Sequence, residues 1–414
     1  MKPLQLLHLA DTHIGVENYG RLVPATGLHT RLQDFVRCLE FAVDTALERE
    51  VDAVLFAGDA YKHATPSPTH EGKFAEQMKR LADARIPVVM VTGNHDMPAS
   101  FGKASALNIF RTLGGEDVFY VAEKPCLMTI ETKSGPFQVG CFPWPSRHVL
   151  VTKEEYRNLS ADEITATISA KCENRITKFT RDRDPALPLV LLAHLAVAHA
   201  AYSGSEQTTI IGHDPVIAQG VLKNPAFEYA ALGHIHKHQD LNPHGHPHIV
   251  YPGSLERIDF GEAQDEKGCC LVSLGKGGSE YEFVKTPARP FVKIDIDVRA
   301  QDFPTEAILK HISARNIKDA VVRISYTIEE TQKGLIDLQR IAGALKEVFL
   351  VAGVTPKTEE IRTQRPRISD DLSIPDAVAK YIDYTPEYQP IKGSLLAYAE
   401  GLLREIELQG EPDR

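Results

Sequence analysis

The chain has 414 residues, 43% hydrophobic and 25% charged, with a formal net charge of −10 at pH 7. This is the composition of an ordinary folded protein with a sizeable core, which excludes a marginal mini-domain. The acidic balance excludes a general basic coat for nucleic acid but leaves a local basic groove open, because steering depends on where the charges lie.

The six cysteines (Cys38, Cys126, Cys141, Cys172, Cys269, Cys270) form no Cys-x-x-Cys pair. No disulfide framework or structural zinc site is expected, and a reducing cytoplasm is. The apolar run before Asp11 is too short for a signal sequence, and no stretch is long enough to span a membrane. A cytoplasmic protein without a membrane partner is the expectation.

Residues 4–10 predict a strand that runs into Asp11-Thr12-His13-Ile14-Gly15. An Asp-x-His pair in extended backbone points both side chains to one face, either as metal ligands or as polar caps of a loop. Over residues 28–50 the spacing of Leu32, Phe35, Val36, Leu39, Val43, Ala46 and Leu47 predicts an amphipathic, core-facing helix. Residues 51–57 predict a second strand, ending in Gly58-Asp59, and Pro66-Ser67-Pro68 opens a helix to about residue 84. Residues 87–92 predict a third strand, which delivers Gly93-Asn94-His95-Asp96. Glycine tolerates positive φ, so Gly93 can turn the chain and present an amide, an imidazole and a carboxylate at the strand end.

A helix is predicted over 102–113, and short strands over 117–121, 126–132 and 137–142, with Ser134-Gly135-Pro136 as a turn. Residues 153–183 predict a polar helix. Its Lys171, Arg175, Lys178, Arg181 and Arg183 read as a solvated face or, more sharply, as phosphate contacts. An apolar strand over 189–193 ends in His194, 196–212 read as a loop, and a strand over 227–232 ends in Gly233-His234-Ile235-His236. His238, His244, His246 and His248 read as loop residues around a hairpin turn at 242–247. A strand over 268–273 precedes a composition shift at 274–279 and a boundary near 285–290. Residues 291–365 predict strand (291–298), helix (305–314), strand (320–326) and helix (335–349), a compact α+β module. Residues 366–414 predict proline-containing linkers around 374–382 and a last amphipathic helix over 395–408.

Asp11, His13, Asp59, Asn94, His194, His234 and His236 all follow apolar strands. A single sheet would gather them at one edge, where open α/β sheets bind their ligands. Carboxylate, amide oxygen and imidazole without thiolate suit Mn²⁺, Fe²⁺ or Zn²⁺. Seven ligands exceed what one catalytic ion with an open position takes, and two ions sharing a bridging carboxylate account for the number. Two ions about 3.5–4 Å apart clamp an in-line displacement at phosphorus.

The order Asp-x-His, Gly-Asp, Gly-Asn-His-Asp, a lone His, then Gly-His-x-His resembles the calcineurin-like metallophosphoesterases. Within them it is similar to the SbcD-type nuclease subunits. The closer likeness is carried by 8–15 (His-Leu-Ala-Asp-Thr-His-Ile-Gly), Pro66-Ser67-Pro68, 229–236 and 251–260 (Tyr-Pro-Gly-Ser-Leu-Glu-Arg-Ile-Asp-Phe). It is specific over roughly 4–285, looser over 291–365 and loosest over 366–414.

The resemblance implies an α/β fold: a four-layer metallophosphoesterase β-sandwich flanked by helices. A small α+β DNA-binding cap domain and a C-terminal helical segment that docks on an ATPase would follow. The implied units are 1–285, 286–365 and 366–414. One ion would be held by Asp11, His13, Asp59 and His236, and the other by Asp59, Asn94, His194 and His234. His95 would assist the transition state at the leaving oxygen, with Asp96 orienting it. The resemblance further implies two divalent ions, Mn²⁺ foremost, DNA as substrate, and an SbcC-type coiled-coil ATPase as partner. A homodimer within a heterotetramer would form through helices near 68–84 and 100–113. The family carries His or Asp three residues after the bridging Asp; here Lys62 stands there. That leaves open the balance of exonuclease and endonuclease action, and whether Lys62 meets a phosphate or is a plain surface lysine. A phosphodiesterase for small nucleotides and a non-catalytic scaffold subunit are the competing readings.

Overall fold

The computed structural model describes residues 3–98, 102–113, 117–145, 159–204, 214–275, 278–358, 373–383 and 386–409. The first half runs β1 (Leu4–Leu9), α1 (Thr30–Glu48), β2 (Ala53–Phe56), α2 (Pro68–Asp83), β3 (Val88–Val91), α3 (Asn108–Leu113), β4 (Phe119–Ala122), β5 (Cys126–Ile130) and β6 (Phe137–Phe142). Then come α4 (Ala161–Asp182), β7 (Leu189–His194), β8 (Ala196–Val197), β9 (Val216–Ile217), α5 (Gln219–Leu222), β10 (Tyr229–Gly233), β11 (Gln239–Asp240), β12 (His248–Tyr251), β13 (Gly268–Gly275) and β14 (Gly278–Lys285). The last third holds β15 (Phe291–Asp297), α6 (Pro304–Ser313), β16 (Val321–Ile328), α7 (Leu338–Ala344), β17 (Leu350–Thr358), α8 (Ile374–Asp383) and α9 (Lys392–Gln409).

Two six-stranded sheets, ordered β14-β13-β1-β2-β3-β4 and β11-β12-β10-β7-β6-β5, pack face to face. The period of two along β1 builds the layers: Leu6 and Ala10 face the second sheet, whereas Leu7 and Leu9 face the helices. Leu6, Leu55 and Val89 of one sheet meet Val139, Val190 and Ala231 of the other. On the outer face of the first sheet, Phe35, Leu39, Phe74 and Met78 of α1 and α2 cover Leu7, Val54 and Met90. On the outer face of the second, Ile168, Ile176 and Phe179 of α4 cover Leu191 and Leu232. Each such fully buried side chain contributes about 1.5–3 kcal/mol. The result is the expected helix–sheet–sheet–helix sandwich.

β1, β2, β3 and β4 run parallel, and so do β6, β7, β10 and β12. Parallel neighbours end on the same side, so each sheet brings its carboxyl ends to one rim. The sequence reading placed all candidate ligands on one sheet; the structure divides them between two.

Beyond the sandwich, β15, β16 and β17 form a parallel three-stranded sheet covered by α6 and α7. Arg289 ties it to α1: its Nε donates to Asp34 Oδ2 at 2.6 Å while its guanidinium lies 3.5 Å from the Phe349 ring centre.

Several predicted elements shift. The helix over 102–113 shrinks to Asn108–Leu113, because Glu123 captures Ser105 N, Ser105 Oγ and Asn108 Nδ2. The composition shift at 274–279 falls where β13 ends and β14 begins, with Leu274 paired to Ser279 and Gly275 to Gly278 and with 276–277 outside the described residues. The helix over 335–349 is only Leu338–Ala344, capped by Asp337, and the chain then enters β17. β17 holds an edge of its sheet, where Gly353 and Pro356 are tolerated. The linker around 374–382 is the helix α8, with Pro375 in its first turn. His238 and His248 are anchors rather than loop decoration: His238 Nδ1 donates to the Tyr251 carbonyl and its ring stacks on Phe283, and His248 meets Asp240 at 2.6 Å. Of the predicted 196–212 loop, residues 205–212 lie outside the described residues, as do 153–158 of the predicted helix that begins at Ala161. In that helix Arg175 donates to the Pro125 carbonyl and Lys178 pairs with Asp182, so these two cations serve the helix and its packing.

Candidate metal centre

The first sheet delivers Asp11 and His13 after β1, Asp59 after β2, and Asn94, His95 and Asp96 after β3. The second delivers His194 at the end of β7, and His234 and His236 after β10. The two rims face each other. Within the set, His13 Nε2 lies 3.0 Å from His236 Nε2 and 3.7 Å from Asp59 Oδ2. His194 Nε2 lies 3.4 Å from Asp59 Oδ2 and 2.9 Å from Asn94 Oδ1. His234 Nδ1 lies 3.1 Å from the same Asn94 oxygen, and its backbone N–H donates to Asp11 Oδ2 at 3.0 Å. Three triads have ligand atoms within 4.8 Å of one another: Asp11–His13–His236, Asp11–Asp59–His194 and His13–Asp59–His95. All seven predicted ligands therefore meet in one cluster.

The backbone is bent to achieve this. Asp11, His13, Asp59 and His234 have φ of 52°, 41°, 56° and 105°. Such left-handed conformations cost L-residues on the order of 1–3 kcal/mol each and persist where the surroundings enforce them. Gly93 is required by space: a Cβ there would stand 2.0 Å from Asp59 Oδ1.

The donor set fits divalent metal. His194 Nδ1 lies 2.7 Å from the Ala57 carbonyl, which only accepts, so Nδ1 carries a proton and Nε2 is the nitrogen that faces Asn94 Oδ1 and Asp59. His236 Nδ1 meets the Glu262 carboxylate at 2.8 Å, which likewise leaves the Nε2 lone pair turned to His13. His234 Nε2 is buried with no hydrogen-bond partner among the described residues, and the Asp214 carboxylate is 3.8 Å from it. A buried ring nitrogen without a partner, beside carboxylates and imidazoles converging on one space, is a donor set that a divalent cation satisfies. Two triads that share Asp11 and are linked through Asp59 suit two divalent ions held by nitrogen and oxygen.

The electrostatics carry the same strain. Burial pushes the Asp11 carboxyl up to about 7. Burial would raise Asp59 too, but the His194 imidazolium holds it well below the usual carboxylate range. Against its own burial, His194 is held up at about 9 by Asp59. Burial drives His13 and His234 well down, so they stay neutral, as ligands must.

The two predicted catalytic residues part company. His95 is exposed at the rim, its ring 4.9 Å from that of His13, its Nδ1 2.9 Å from the Lys62 carbonyl and its backbone N–H donating to Asp59 Oδ1 at 2.8 Å. The backbone of Lys62, not Asp96, thus orients the imidazole. Asp96 is buried and accepts the backbone N–H groups of Asp59, Ala60 and Gly93 at 2.8, 3.0 and 3.0 Å. It holds two strand-end loops together, which corrects the expectation that it serves His95.

Two contributors escaped the sequence reading. Trp144 lies with its ring 4.6 Å from His234 and 5.9 Å from His194; the Pro143-Trp144-Pro145 run was the only available signal. Glu262 holds His236 and lies beyond the motif segments, with no local signal.

The calcineurin-like phosphoesterase model matches residues 4–238, which include every candidate ligand. An uncharacterized metallophosphoesterase, YhaO, of Bacillus subtilis is 28% identical over 298 residues, 71% of this chain and 63% of that protein. The DNA double-strand break repair protein Mre11 of Aeropyrum pernix is 28% identical over 302 residues, 71% of this chain and 64% of that protein. The SbcD component of the nuclease SbcCD of Bacillus subtilis is 26% identical over 296 residues, 70% of this chain and 72% of that protein. The chain spans less than two thirds of the length of the first two. Among the described residues no helix is long and apolar enough to cross a membrane. From the family match over residues 4–238, this chain belongs to the calcineurin-like phosphoesterases.

Proposed function

We propose that this chain is the nuclease subunit of an SbcC–SbcD-type complex, cleaving DNA phosphodiester bonds as a double-strand 3′–5′ exonuclease and a single-strand endonuclease. The observation that carries the reading is the buried cluster of imidazoles, carboxylates and one amide oxygen at the two strand rims. The likeness to a DNA repair protein and to a component of the nuclease SbcCD points it toward DNA. Asp11, His13, Asp59 and His236 would hold one ion, and Asp59, Asn94, His194 and His234 the other, with Mn²⁺ as the native metal. Bound there, the pair of ions supplies Lewis acidity at the phosphoryl oxygens and acidifies the attacking water. His95 stands at the open rim with Nδ1 engaged by Lys62, which leaves its Nε2 to serve the departing oxygen. Asp96, Gly93 and the strained loops fix the ligand geometry before substrate arrives.

Residues 1–285 would form the nuclease domain, 286–365 a DNA-binding cap and 366–414 the ATPase-docking segment. Exposed Ile391, Tyr398 and Leu402 around α9 support docking on an apolar coiled-coil surface. Exposed Ile109 and Leu113 on α3 support a homodimer through this helix and α2.

The test pairs end-labelled linear duplex DNA with a small chromogenic phosphodiester, in Mn²⁺, in Mg²⁺ and with chelator. Cleavage of both with Mn²⁺, lost in His95→Ala, is expected. Turnover of the small ester alone, with the ATPase partner added and still no DNA cleavage, would move the function to small nucleotides.

A further inference from the structure

The short 3₁₀ turn Phe260–Glu262 lies outside the segment that the family model matches, yet it reaches the centre of the site. Glu262 is fully buried, and Oε1 meets His236 Nδ1 at 2.8 Å. Its Oε2 accepts the backbone N–H of Ile258 at 2.9 Å and pairs with Lys267 Nζ at 2.9 Å. The Lys267 ammonium, also buried, donates to the His236 carbonyl and to Ser254 Oγ, both at 2.9 Å. One carboxylate and one ammonium thus grip His236 from its ring and from its backbone. The turn is itself fixed. Phe260 packs edge-on against Tyr19 and Phe291 at 5.1 Å each, under the Arg323 guanidinium at 4.4 Å.

We propose that Glu262, braced by Lys267, is a positioning residue for the ion held by His236: it fixes the imidazole in its Nδ1–H form and turns the Nε2 lone pair toward His13. A carboxylate accepts and never donates when ionised, so the shared proton sits on Nδ1. Its negative charge makes the opposite nitrogen a stronger donor to a cation, and loss of such a partner weakens metal binding about 10–100-fold. Lys267 keeps the buried carboxylate ionised, since an unpaired one would take up a proton. The inference rests on the two-ion reading of the site.

The test is calorimetric titration of the full chain with Mn²⁺, beside Glu262→Gln, which keeps the side chain's size and removes its charge. A two-step isotherm is expected for the unsubstituted chain. In Glu262→Gln, with unchanged circular dichroism, one step should weaken by about tenfold or more and the other stay in place. Two unchanged steps, or an equal fall in both, would overturn the positioning role. A chain that binds no divalent ion would sink the two-ion reading instead. If the variant does not fold, nitrogen–proton correlation spectra of the histidine-labelled, metal-free chain decide. The imidazole that vanishes in His236→Asn should be an Nδ1–H tautomer, and an Nε2–H tautomer there would refute the proposal.

Discussion

The carboxylate of Asp96 accepts the backbone N–H of Asp59 at 2.8 Å, tying the loop after β3 to the loop after β2. The same carboxylate also accepts from Ala60 and Gly93. Asp96→Asn keeps the shape but turns an amide donor on one of these N–H groups. Leaving a buried donor unsatisfied costs about 1–3 kcal/mol. Urea denaturation should show a loss of that size, together with weaker Mn²⁺ binding. A fully stable variant with normal metal binding would mean that the three bonds hold nothing in place.

His95→Ala should separate binding from turnover. The ring lies at the exposed rim, and among the described residues its hydrogen bond is to the Lys62 carbonyl. Removing a general acid lowers rate by about 10²–10⁴-fold. Single-turnover cleavage should fall by that order while the Mn²⁺ isotherm keeps two steps. Unaltered cleavage would assign the leaving-group proton elsewhere.

Trp144 is the only tryptophan in the sequence, and its ring lies 4.6 Å from that of His234. Paramagnetic Mn²⁺ bound beside His234 should therefore quench the intrinsic tryptophan fluorescence, reversibly with chelator. Gly93→Ala should abolish the quench, because the added Cβ collides with the Asp59 carboxylate. Metal should also raise the melting temperature, by linkage worth about 2.7 kcal/mol at a hundredfold excess over Kd. Persistent quenching in Gly93→Ala would place the ion away from this cluster.

His8 joins the two sheets: its Nε2 meets the Leu232 carbonyl and its Nδ1 the Tyr229 hydroxyl, both at 3.1 Å. Burial lowers its pKa from 6.5 to about 3. The folded state thus resists a proton that the unfolded chain takes up. This contribution is intact above pH 6.5 and is lost as pH falls toward 3, at about 1.4 kcal/mol per pH unit. The difference in unfolding free energy between the unsubstituted chain and His8→Gln should shrink by that slope between pH 6.5 and 4.5. A difference flat with pH would show that His8 takes up a proton without loss.

The chain's local chemistry determined the strand–motif units and the identity of every candidate ligand, because apolar runs and the residues that end them are written in consecutive positions. Asp11, His13, Asp59, Asn94, His194, His234 and His236 needed no partner to be seen. Which sheet each strand joins is decided by pairing between distant segments, and only tertiary structure set β1 beside β13 and split the ligands over two facing rims. Short or edge elements were lost for the same reason: β17 and α8 owe their form to packing partners that local propensity does not name. The roles of Asp96, Lys62 and Glu262 were likewise decided in space. A carboxylate or carbonyl reads the same in sequence whether it meets metal, an imidazole or backbone N–H, and burial alone forces it to take one of them.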